Sequence, residues 1–334
     1  MVAGPVLVTG ATGVVGAPIL RLLVESGRRV GALVRSAGSA ESVEMAGATA
    51  VNGDLLNHGS LVRAFTGFDV VYHVAGVNQF CVSDPEPMDT ANVDGSRNVL
   101  RACAAAGVRR LVYTSSAAAI GEEEGTVGDE SSPHRGHFLS QYERSKYLAE
   151  QAVFAERTPV EVVAVNPSSV QGPGRASGTG KLILQVIDGK LPVLVDTRVS
   201  MVDIDDCARG HLLAEEKGTP GQRYVLNGFT LSIRQALDLL ERVTGRRATV
   251  RFLPGWVALA GAGAYGTAAR IMGKHPRFCW EMARTMLHGH AYDGSRATRD
   301  LGLVYTPAED TLRRLYTWAV AEGLLGPPET AASA

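Results

Sequence analysis

Residues 9–16 read TGATGVVG, between a short apolar run and an amphipathic stretch. Three glycines, Gly10, Gly13 and Gly16, recur at every third position. In a strand–turn–helix unit the first glycine permits a tight turn, the second lets the backbone approach a phosphate, and the third lets the helix pack against the strand. The helix start then offers free N–H groups and a positive dipole end to an anion. The segment therefore predicts a dinucleotide-binding loop, although its spacing is GxxGxxG and not GxGxxG.

Strands and helices alternate through the first half of the chain. Helical patterns at 17–25, 95–106 and 141–155 lie between apolar runs of the buried, parallel type. These runs predict strands at 6–9, 30–34, 49–51, 70–74, 111–114 and 160–165. The alternation predicts an α/β protein with a doubly wound parallel Rossmann sheet and a smaller, mostly helical C-terminal substrate domain.

The alternation stops near residue 166, where the chain becomes rich in Gly, Pro and Ser. A further strand at 222–226 is expected to rejoin the sheet. We therefore assign the NAD(P)-binding domain to residues 1–170 plus about 201–228, by the strand–helix rhythm. The substrate domain takes 171–200 and 229–326, and residues 327–334 form a flexible tail.

Charge and cysteine content exclude several classes of protein. The 334 residues include 33 Lys or Arg and 34 Asp or Glu, a net charge of −1, which argues against nucleic acid as a partner. The four cysteines are far apart, which predicts reduced packing thiols without a metal site or disulfide framework. The start of the chain shows no signal peptide, so we expect a cytoplasmic location. The uncharged stretch 252–269 is too rich in Gly and Ala for a membrane span.

Two residues at strand ends bear on which dinucleotide is bound. Arg35 ends the second strand, where an acid would bind a ribose 2′-hydroxyl and an Arg accommodates a 2′-phosphate. This favours NADP over NAD, with NAD still possible, and the alternative is a solvated strand-end Arg. Asp54 and Leu55, after the third strand, are expected beside the adenine, and the alternative for Asp54 is a turn residue or helix cap.

A second group of residues predicts proton-transfer chemistry. Tyr142 is the only tyrosine followed by Lys at the fourth position, Lys146, and on a helix the two share a face. An ammonium there stabilises a phenolate, so the tyrosine can exchange a proton near neutral pH. Thr114, Ser115 and Ser116 end the fifth strand, at the sheet edge where α/β folds bind ligands. A Tyr–Lys pair on a helix surface is the alternative, and the glycine loop and strand-end hydroxyls argue against it.

These motifs resemble those of extended short-chain dehydrogenases/reductases over nearly the whole chain. Within that superfamily the chain is most similar to the group of dihydroflavonol reductases, 3β-hydroxysteroid dehydrogenases and hopanoid-associated epimerase-like proteins. The segments that carry the resemblance are TGATGVVG (9–16), GDL (53–55), HVAG (73–76), NVDGSRN (92–98), YTSSA (113–117), YERSK (142–146), NPSSVQGPG (166–174) and VDIDD (202–206).

The resemblance implies a role for each matching residue. Tyr142 is the expected acid/base, Lys146 its partner and a ribose ligand, and Ser116 the hydroxyl that orients a carbonyl, with Ser115 as the alternative. Asn92 is expected to support the backbone or cap a helix. The other residues expected to contact the cofactor are Gly10, Ala11, Thr12, Gly13, Val14, Val15, Gly16, Val74, Ala75, Gly76, Thr114, Pro167, Ser169 and Val170. The resemblance also makes a homodimer through the helices at 95–106 and 141–155 possible.

The expected function is NADP-dependent interconversion of a ketone and a secondary alcohol on a lipophilic small molecule. The alternatives are a redox-neutral epimerase acting on a sugar or sugar nucleotide and a non-enzymatic dinucleotide sensor. Relatives that bind sugar nucleotides carry Arg and His where this chain has Val199 and Asp203, so a buried diphosphate would lack its cation. Asp205 and Asp206 are expected to cap a helix. The residues expected near the substrate are Asn78, Gln79, Phe80, Ser115 and Arg175, with Arg198 as a further cation.

Overall fold

The computed structural model describes residues 4–326 and has a central sheet of parallel strands. The strands are β1 (Val6–Thr9), β2 (Val30–Val34), β3 (Thr49–Asn52), β4 (Val70–His73), β5 (Arg110–Thr114), β6 (Glu161–Pro167) and β10 (Arg223–Leu226). Their order is β10-β6-β5-β4-β1-β2-β3. The predicted strand near 222–226 does rejoin the sheet, because β10 pairs with β6 in parallel. The predicted tail lies outside the described residues.

Helices cover both faces of this sheet, because neighbouring strand residues point to opposite sides. Val6 and Val8 of β1 belong to one buried core, and Leu7 between them belongs to another. The helices of this layer are α1 (Gly16–Glu25), α2 (Ala37–Met45), α3 (His58–Phe65), α5 (Gly95–Ala106), α6 (Gln141–Ala155) and α8 (Ile204–Lys217). Helices α1 and α8 pack together on the first core, and α3, α5 and α6 pack on the second. A short helix α4 (Glu86–Asp89) leads through a π-helical turn (Thr90–Asp94) into α5.

The remaining elements form the smaller part of the molecule. They are β7 (Ser169–Gln171), α7 (Gly178–Ile187), β8 (Val193–Val195), β9 (Arg198–Asp203), β11 (Phe229–Ser232), α9 (Ile233–Thr244), β12 (Arg251–Leu253), α10 (Gly255–Ile271), α11 (Trp280–His288) and α12 (Ala308–Ala321). Two small sheets, β11-β9-β7 and β12-β8, join them. Side chains of α7, α9 and α12 build a third apolar core. Among residues 4–326, no helix is both long and apolar enough to cross a lipid bilayer.

Two predictions about local structure are wrong. Cys81 and Cys279 are joined by a disulfide across 198 positions, and only Cys103 and Cys207 are free, buried thiols. Long-range packing brings the bonded pair together, which sequence spacing cannot show. The cap of α8 is Asp203, whose carboxylate accepts the N–H of Asp205 at 2.8 Å. Asp205 and its neighbour at 206 lie in the first helical turn instead and pair with arginines.

Candidate active site

The glycine loop is packed too tightly for side chains at two of its positions. Gly10 has a φ of +68°, and a Cβ there would lie 2.7 Å from the Cα of Ala75. A Cβ on Gly16 would lie 2.0 Å from the Gly10 carbonyl oxygen. No side chain caps the start of α1, and Thr12 and Gly13 are exposed. The loop therefore has open space and free N–H groups at a helix start, which fits the phosphates of a dinucleotide.

A buried hydrogen-bond network places the end of β4 beside this loop. The hydroxyl of Thr9 accepts the N–H groups of Val74 and Ala75, each at 3.2 Å, and lies 2.8 Å from Nδ1 of His73. Burial, with a smaller effect of the Lys146 charge, lowers the pKa of His73 to about 3, so the imidazole is neutral. Thr9 and His73, to which the sequence motifs assigned no role, support the backbone of Val74 and Ala75.

Arg35 and Asp54 lie after the carboxyl ends of adjacent strands. Strands β2 and β3 pair in parallel, with Val34 opposite Asn52, and both predicted residues are exposed just beyond them. The Asp54 carboxylate accepts the N–H of Leu56 at 2.9 Å, so in this structure it stabilises a turn. Leu55 packs against the second core. Arg35 and Asp54 remain predicted adenosine contacts, at the edge of the sheet where the glycine loop also lies.

Helix α6 carries the predicted acid/base pair. Ser140 is the N-cap residue of this helix, and its hydroxyl accepts the N–H of Glu143 at 3.1 Å. Tyr142 is therefore in the first turn, and Lys146 lies one turn later. The buried ammonium of Lys146 donates to the carbonyl of Thr114 at 2.8 Å. Burial lowers the pKa of Lys146 to about 8, against a smaller opposing effect of the Glu150 carboxylate. Within residues 4–326 no hydrogen bond joins Lys146 to Tyr142, a difference from the direct partnership that the sequence suggested.

Two other groups act on the half-buried Tyr142. Burial raises the pKa of its phenol above the ordinary value, and the nearby Ser116 hydroxyl and the positive charge of Arg175 oppose that rise. The adjacent Ser115 hydroxyl is buried without a hydrogen-bond partner among the described residues. Ser116 is therefore the serine that affects the tyrosine phenol.

Arg175 comes from the loop between β7 and α7. Its Nη1 donates to Ser177 at 3.1 Å, and its buried Nε has no partner in the described part of the chain. Burial lowers the pKa of Arg175, and the nearby Tyr142 raises it. This half-buried guanidinium is thus a cation with spare hydrogen-bond donors close to the tyrosine. Sequence reasoning proposed it only as a residue near the substrate.

The segment after β4 reaches the same tyrosine. The ring of Phe80 lies 6.0 Å from that of Tyr142, whereas Asn78 and Gln79 are exposed and have no such contact. Asn92 fixes the start of this segment, because its Oδ1 accepts the N–H of Val77 at 2.7 Å.

The other contacts of Asn92 join that segment to α6. Its Nδ2 donates to Ser145 of α6 at 2.9 Å. Asn92 lies in the π-helical turn and not at a helix cap. It therefore has the backbone-supporting role that the resemblance implied.

Glu281, in the first turn of α11, is a support that the sequence analysis missed. Its carboxylate accepts the N–H of Gln141 at 2.5 Å and that of Cys81 at 3.3 Å. The Cys81–Cys279 disulfide adds a covalent connection at the same place. Helix α11 is thereby joined both to the start of α6 and to the loop that carries Phe80.

The residues predicted to hold the nicotinamide lie along the sixth and seventh strands. Pro167 ends β6, and the side chain of Val170 is buried in the first core. The hydroxyl of Ser169 lies 2.6 Å from that of Thr179, so it is already hydrogen-bonded. Any contact from Ser169 and Val170 to a cofactor would therefore come from their backbone, as the resemblance implied.

The sequence analysis predicted no metal site, yet three possible metal ligands lie together: Glu122, His288 and His290, with ligand atoms within 4.8 Å of one another. Nδ1 of His290 is 2.6 Å from Oε1 of Glu122. Burial raises the pKa of Glu122, but hydrogen bonds from both histidines outweigh it and lower the pKa to about 2. The imidazoles thus compensate one oxygen of this buried carboxylate, and its Oε2 has no hydrogen-bond partner among the described residues.

A model of the NAD dependent epimerase/dehydratase family matches residues 6–226. The chain belongs to this family. Its members are NAD(P)-dependent dehydrogenases, reductases and epimerases. The match confirms the superfamily that the motifs indicated, and the glycine loop, Tyr142 and Lys146 all lie inside it.

Individual relatives in the family extend the match to the whole chain. A candidate dihydroflavonol 4-reductase from Synechocystis is 35% identical over 321 residues, with 93% of each chain covered. A 2-alkyl-3-oxoalkanoate reductase from Shewanella oneidensis is 30% identical, covering 92% of this chain and 84% of its own. The crystal structure of gox2253 superposes with a TM-score of 0.83 at 32% identity, covering 96% of this chain and 99% of that one. These similarities confirm the Rossmann α/β fold with a helical C-terminal region.

Proposed function

We propose that this protein is an NADPH-dependent reductase that interconverts a ketone and a secondary alcohol. The observation that carries the proposal is the convergence of Ser116 and Arg175 on Tyr142, at the sheet edge that also holds the glycine loop. The loop residues and Lys146 would hold the dinucleotide, which supplies or accepts the hydride when bound. Arg35 supports a preference for the 2′-phosphate of NADP, because it is exposed at the end of β2 and no acid takes its place.

The chain's own residues handle the substrate oxygen and its proton. The hydroxyls of Ser116 and Tyr142 hydrogen-bond the substrate carbonyl, and Tyr142 gives its proton to that oxygen during reduction. In the reverse direction the tyrosinate takes the proton of the alcohol. The Arg175 charge favours the tyrosinate, and Ser116 hydrogen-bonds it.

Arg175 and Phe80 support a substrate that is lipophilic and carries one anionic group near the ketone. Phe80 gives the site an apolar wall against Tyr142, and Arg175 gives it a single cation with spare donors. A guanidinium binds a carboxylate with two parallel hydrogen bonds, which suits a 3-oxo acid. The relative named a 2-alkyl-3-oxoalkanoate reductase has a substrate of this description in its name. We therefore propose a 3-oxo acid with a hydrophobic body as the substrate class.

A redox-neutral epimerase acting on a sugar nucleotide is the second candidate, and the family match supports its chemistry. A diphosphate needs more cations than one half-buried arginine provides. Arg198 is exposed on β9 and Val199 follows it, so neither supplies a second buried cation. These observations favour the reductase.

The test is an assay of cofactor consumption. We expect oxidation of one NADPH per molecule of a 2-alkyl-3-oxo acid, and weaker activity on its methyl ester, which lacks the charge that Arg175 would bind. UDP-glucose, the matched probe for epimerisation, should be neither epimerised nor a cause of NADPH loss. Epimerisation of UDP-glucose without net NADPH use, together with inactivity on the oxo acid, would contradict the proposal.

Three further proposals concern the setting of this activity. Residues 1–170 with about 201–228 would bind the cofactor, and 171–200 with 229–326 the substrate, in keeping with the sheet that the first group builds. A homodimer would form through α5 and α6. Size-exclusion chromatography with light scattering can test whether the protein is a dimer. A cytoplasmic location would suit an enzyme that consumes NADPH, and fractionation of cells can test it.

A further inference from the structure

Helix α10 presents an apolar face to solvent. It runs from Gly255 to Ile271, and only Ala262, Gly266 and Ala269 are buried, on the side that faces α11. At about 100° per residue, the exposed apolar side chains fall on the opposite side. This face consists of Trp256, Ala260, Ala264, Ala268 and Ile271, with Tyr265 and Met272 at its edge and the exposed Thr267 within it. Trp256 is 73% exposed and Ile271 is 81% exposed, which is unusual for side chains of this size.

The chain segment that contains this face carries charge of one sign. From residue 242 to residue 280 the sequence has seven Lys or Arg and no Asp or Glu, in a chain whose net charge is −1. Arg270, Lys274 and Arg277 follow the apolar face at its C-terminal end and are exposed. In the described part of the chain none of these three forms an ion pair. The surface is thus apolar in its middle and carries unpaired positive charge at its border.

Trp280 extends the same surface toward the active site. It is 50% exposed at the start of α11, and its ring lies 3.8 Å from where a Cβ on Gly263 would be. The residue before it, Cys279, is bonded to Cys81, and Phe80 precedes Cys81 and contacts Tyr142. The contacts of Trp280, the disulfide and Phe80 therefore connect the apolar face to the candidate active site.

We propose that the apolar face of α10 docks on the surface of a membrane that contains anionic lipids. An interfacial helix buries apolar and aromatic side chains at the acyl–headgroup boundary while Lys and Arg bind anionic headgroups. Trp256, Tyr265 and Trp280 are the residue types that such boundaries favour. Docking here would bring the cleft close to a pool of lipophilic molecules.

A second copy of this chain fits the same face less well. A two-fold contact places the same patch of each copy together, so Arg270, Lys274 and Arg277 of both would meet. The segment has no acid to compensate them, and juxtaposed like charges oppose association. An anionic bilayer supplies the missing charge. The observations therefore favour lipid over self-association.

Vesicle flotation tests the proposal without reference to catalysis. The full chain is mixed with vesicles of phosphatidylcholine alone or of phosphatidylcholine with phosphatidylglycerol. We expect flotation with the anionic vesicles, weaker flotation with the neutral ones, and a decrease as salt is raised. The variant Trp256→Ser with Ile271→Ser and the variant Arg270→Glu with Lys274→Glu should each reduce the bound fraction by at least about tenfold.

Two matched variants serve as controls. Met45→Ser with Val304→Ser changes side chains that are 78% and 79% exposed on other surfaces. Arg63→Glu with Arg157→Glu makes the same charge change at exposed sites elsewhere. Both should float like the unchanged protein. Absence of flotation of the unchanged protein would overturn the proposal, as would equal losses in the control variants. A dimer that dissociates in the Trp256→Ser with Ile271→Ser variant would overturn it in favour of self-association.

Discussion

The ammonium of Lys146 donates a 2.8 Å hydrogen bond to the carbonyl of Thr114, which joins α6 to the end of β5. Ser116 follows two residues later, so the same contact fixes the distance between the helix that bears Tyr142 and the segment that bears the serine. A Cβ on Gly76 would lie 3.9 Å from the same nitrogen, which places Lys146 beside the end of β4 as well. Lys146 thereby fixes α6 relative to the ends of β4 and β5.

The first prediction concerns pH. Burial lowers the pKa of Lys146 to about 8, so its positive charge is lost as pH rises through that value. We expect kcat/KM for ketone reduction to fall with an apparent pKa near 8. Lys146→Arg should move this fall to higher pH, because a guanidinium stays charged, and Lys146→Met should lower kcat/KM at every pH.

A stability measurement checks the same shift independently. The folded protein binds fewer protons at Lys146 than the unfolded chain, whose lysine keeps a pKa near the ordinary 10.5. Stability should therefore rise with pH between about 8 and 10 relative to Lys146→Met. The free energy of unfolding is measured by denaturant titration at each pH. The same pH dependence in both proteins would show that the pKa of Lys146 is not lowered.

The second prediction concerns Tyr142. Tyr142→Phe removes the proton donor and keeps the ring against Phe80, so turnover should fall by about two to four orders of magnitude. Affinity for NADPH should be unchanged in a fluorescence titration. Tyr147→Phe is the matched control on the same helix, because Tyr147 contacts His134 and not the candidate site. Near-normal turnover in Tyr142→Phe would assign the proton to another group.

The third prediction separates two effects of Arg175. Its charge lowers the pKa of Tyr142, so Arg175→Leu should shift the pH profile of alcohol oxidation to higher pH, and Arg175→Lys should restore most of it. KM for a 3-oxo acid should rise at least about tenfold in Arg175→Leu, the loss of a charge-assisted pair, with little change for the methyl ester. An equal increase in KM for the acid and the ester would show that Arg175 does not bind a substrate carboxylate.

The fourth prediction concerns the cofactor. NADPH should bind at least about ten times more tightly than NADH, a difference of about 1.4 kcal/mol. Arg35→Ala should abolish most of that difference. Arg29→Ala provides the control, since Arg29 precedes the same strand at its other end and donates to Gly67. Equal affinities of the unchanged protein for the two cofactors would indicate that Arg35 is only solvated.

The fifth prediction concerns the disulfide. Denatured protein without reductant should show two reactive thiols, Cys103 and Cys207, and four after reduction. Cys81→Ser should raise the mobility of the loop that holds Phe80, because the covalent connection to α11 would be lost and the Glu281 hydrogen bond would remain. We expect KM for the substrate to increase while NADPH affinity stays the same. Four thiols before reduction would show that the cysteines are not bonded.

Much of the sheet and part of the site could be predicted because their determinants are local. The strand at Val6–Thr9 and the helices at Gly95–Ala106 and Gln141–Ala155 have the predicted bounds, since apolar runs and the Ser140 cap define them. The helix at Ala37–Met45 was missed, because it buries only Val43 and lacks an amphipathic pattern. The short strands of the second half were missed because each has few residues and pairs over long distances.

The sequence by itself determined the glycine loop, the parallel sheet and the placement of Tyr142 and Lys146 one turn apart on one helix, because spacing along one strand–turn–helix or one helix face suffices for each. Only the tertiary structure decided that Ser116 faces Tyr142 and that Arg175 brings a charge to it. The Cys81–Cys279 bond and the exposed face of α10 are tertiary as well. Such relationships join segments far apart in the chain, and which side chains meet or stay exposed depends on how whole elements pack against one another.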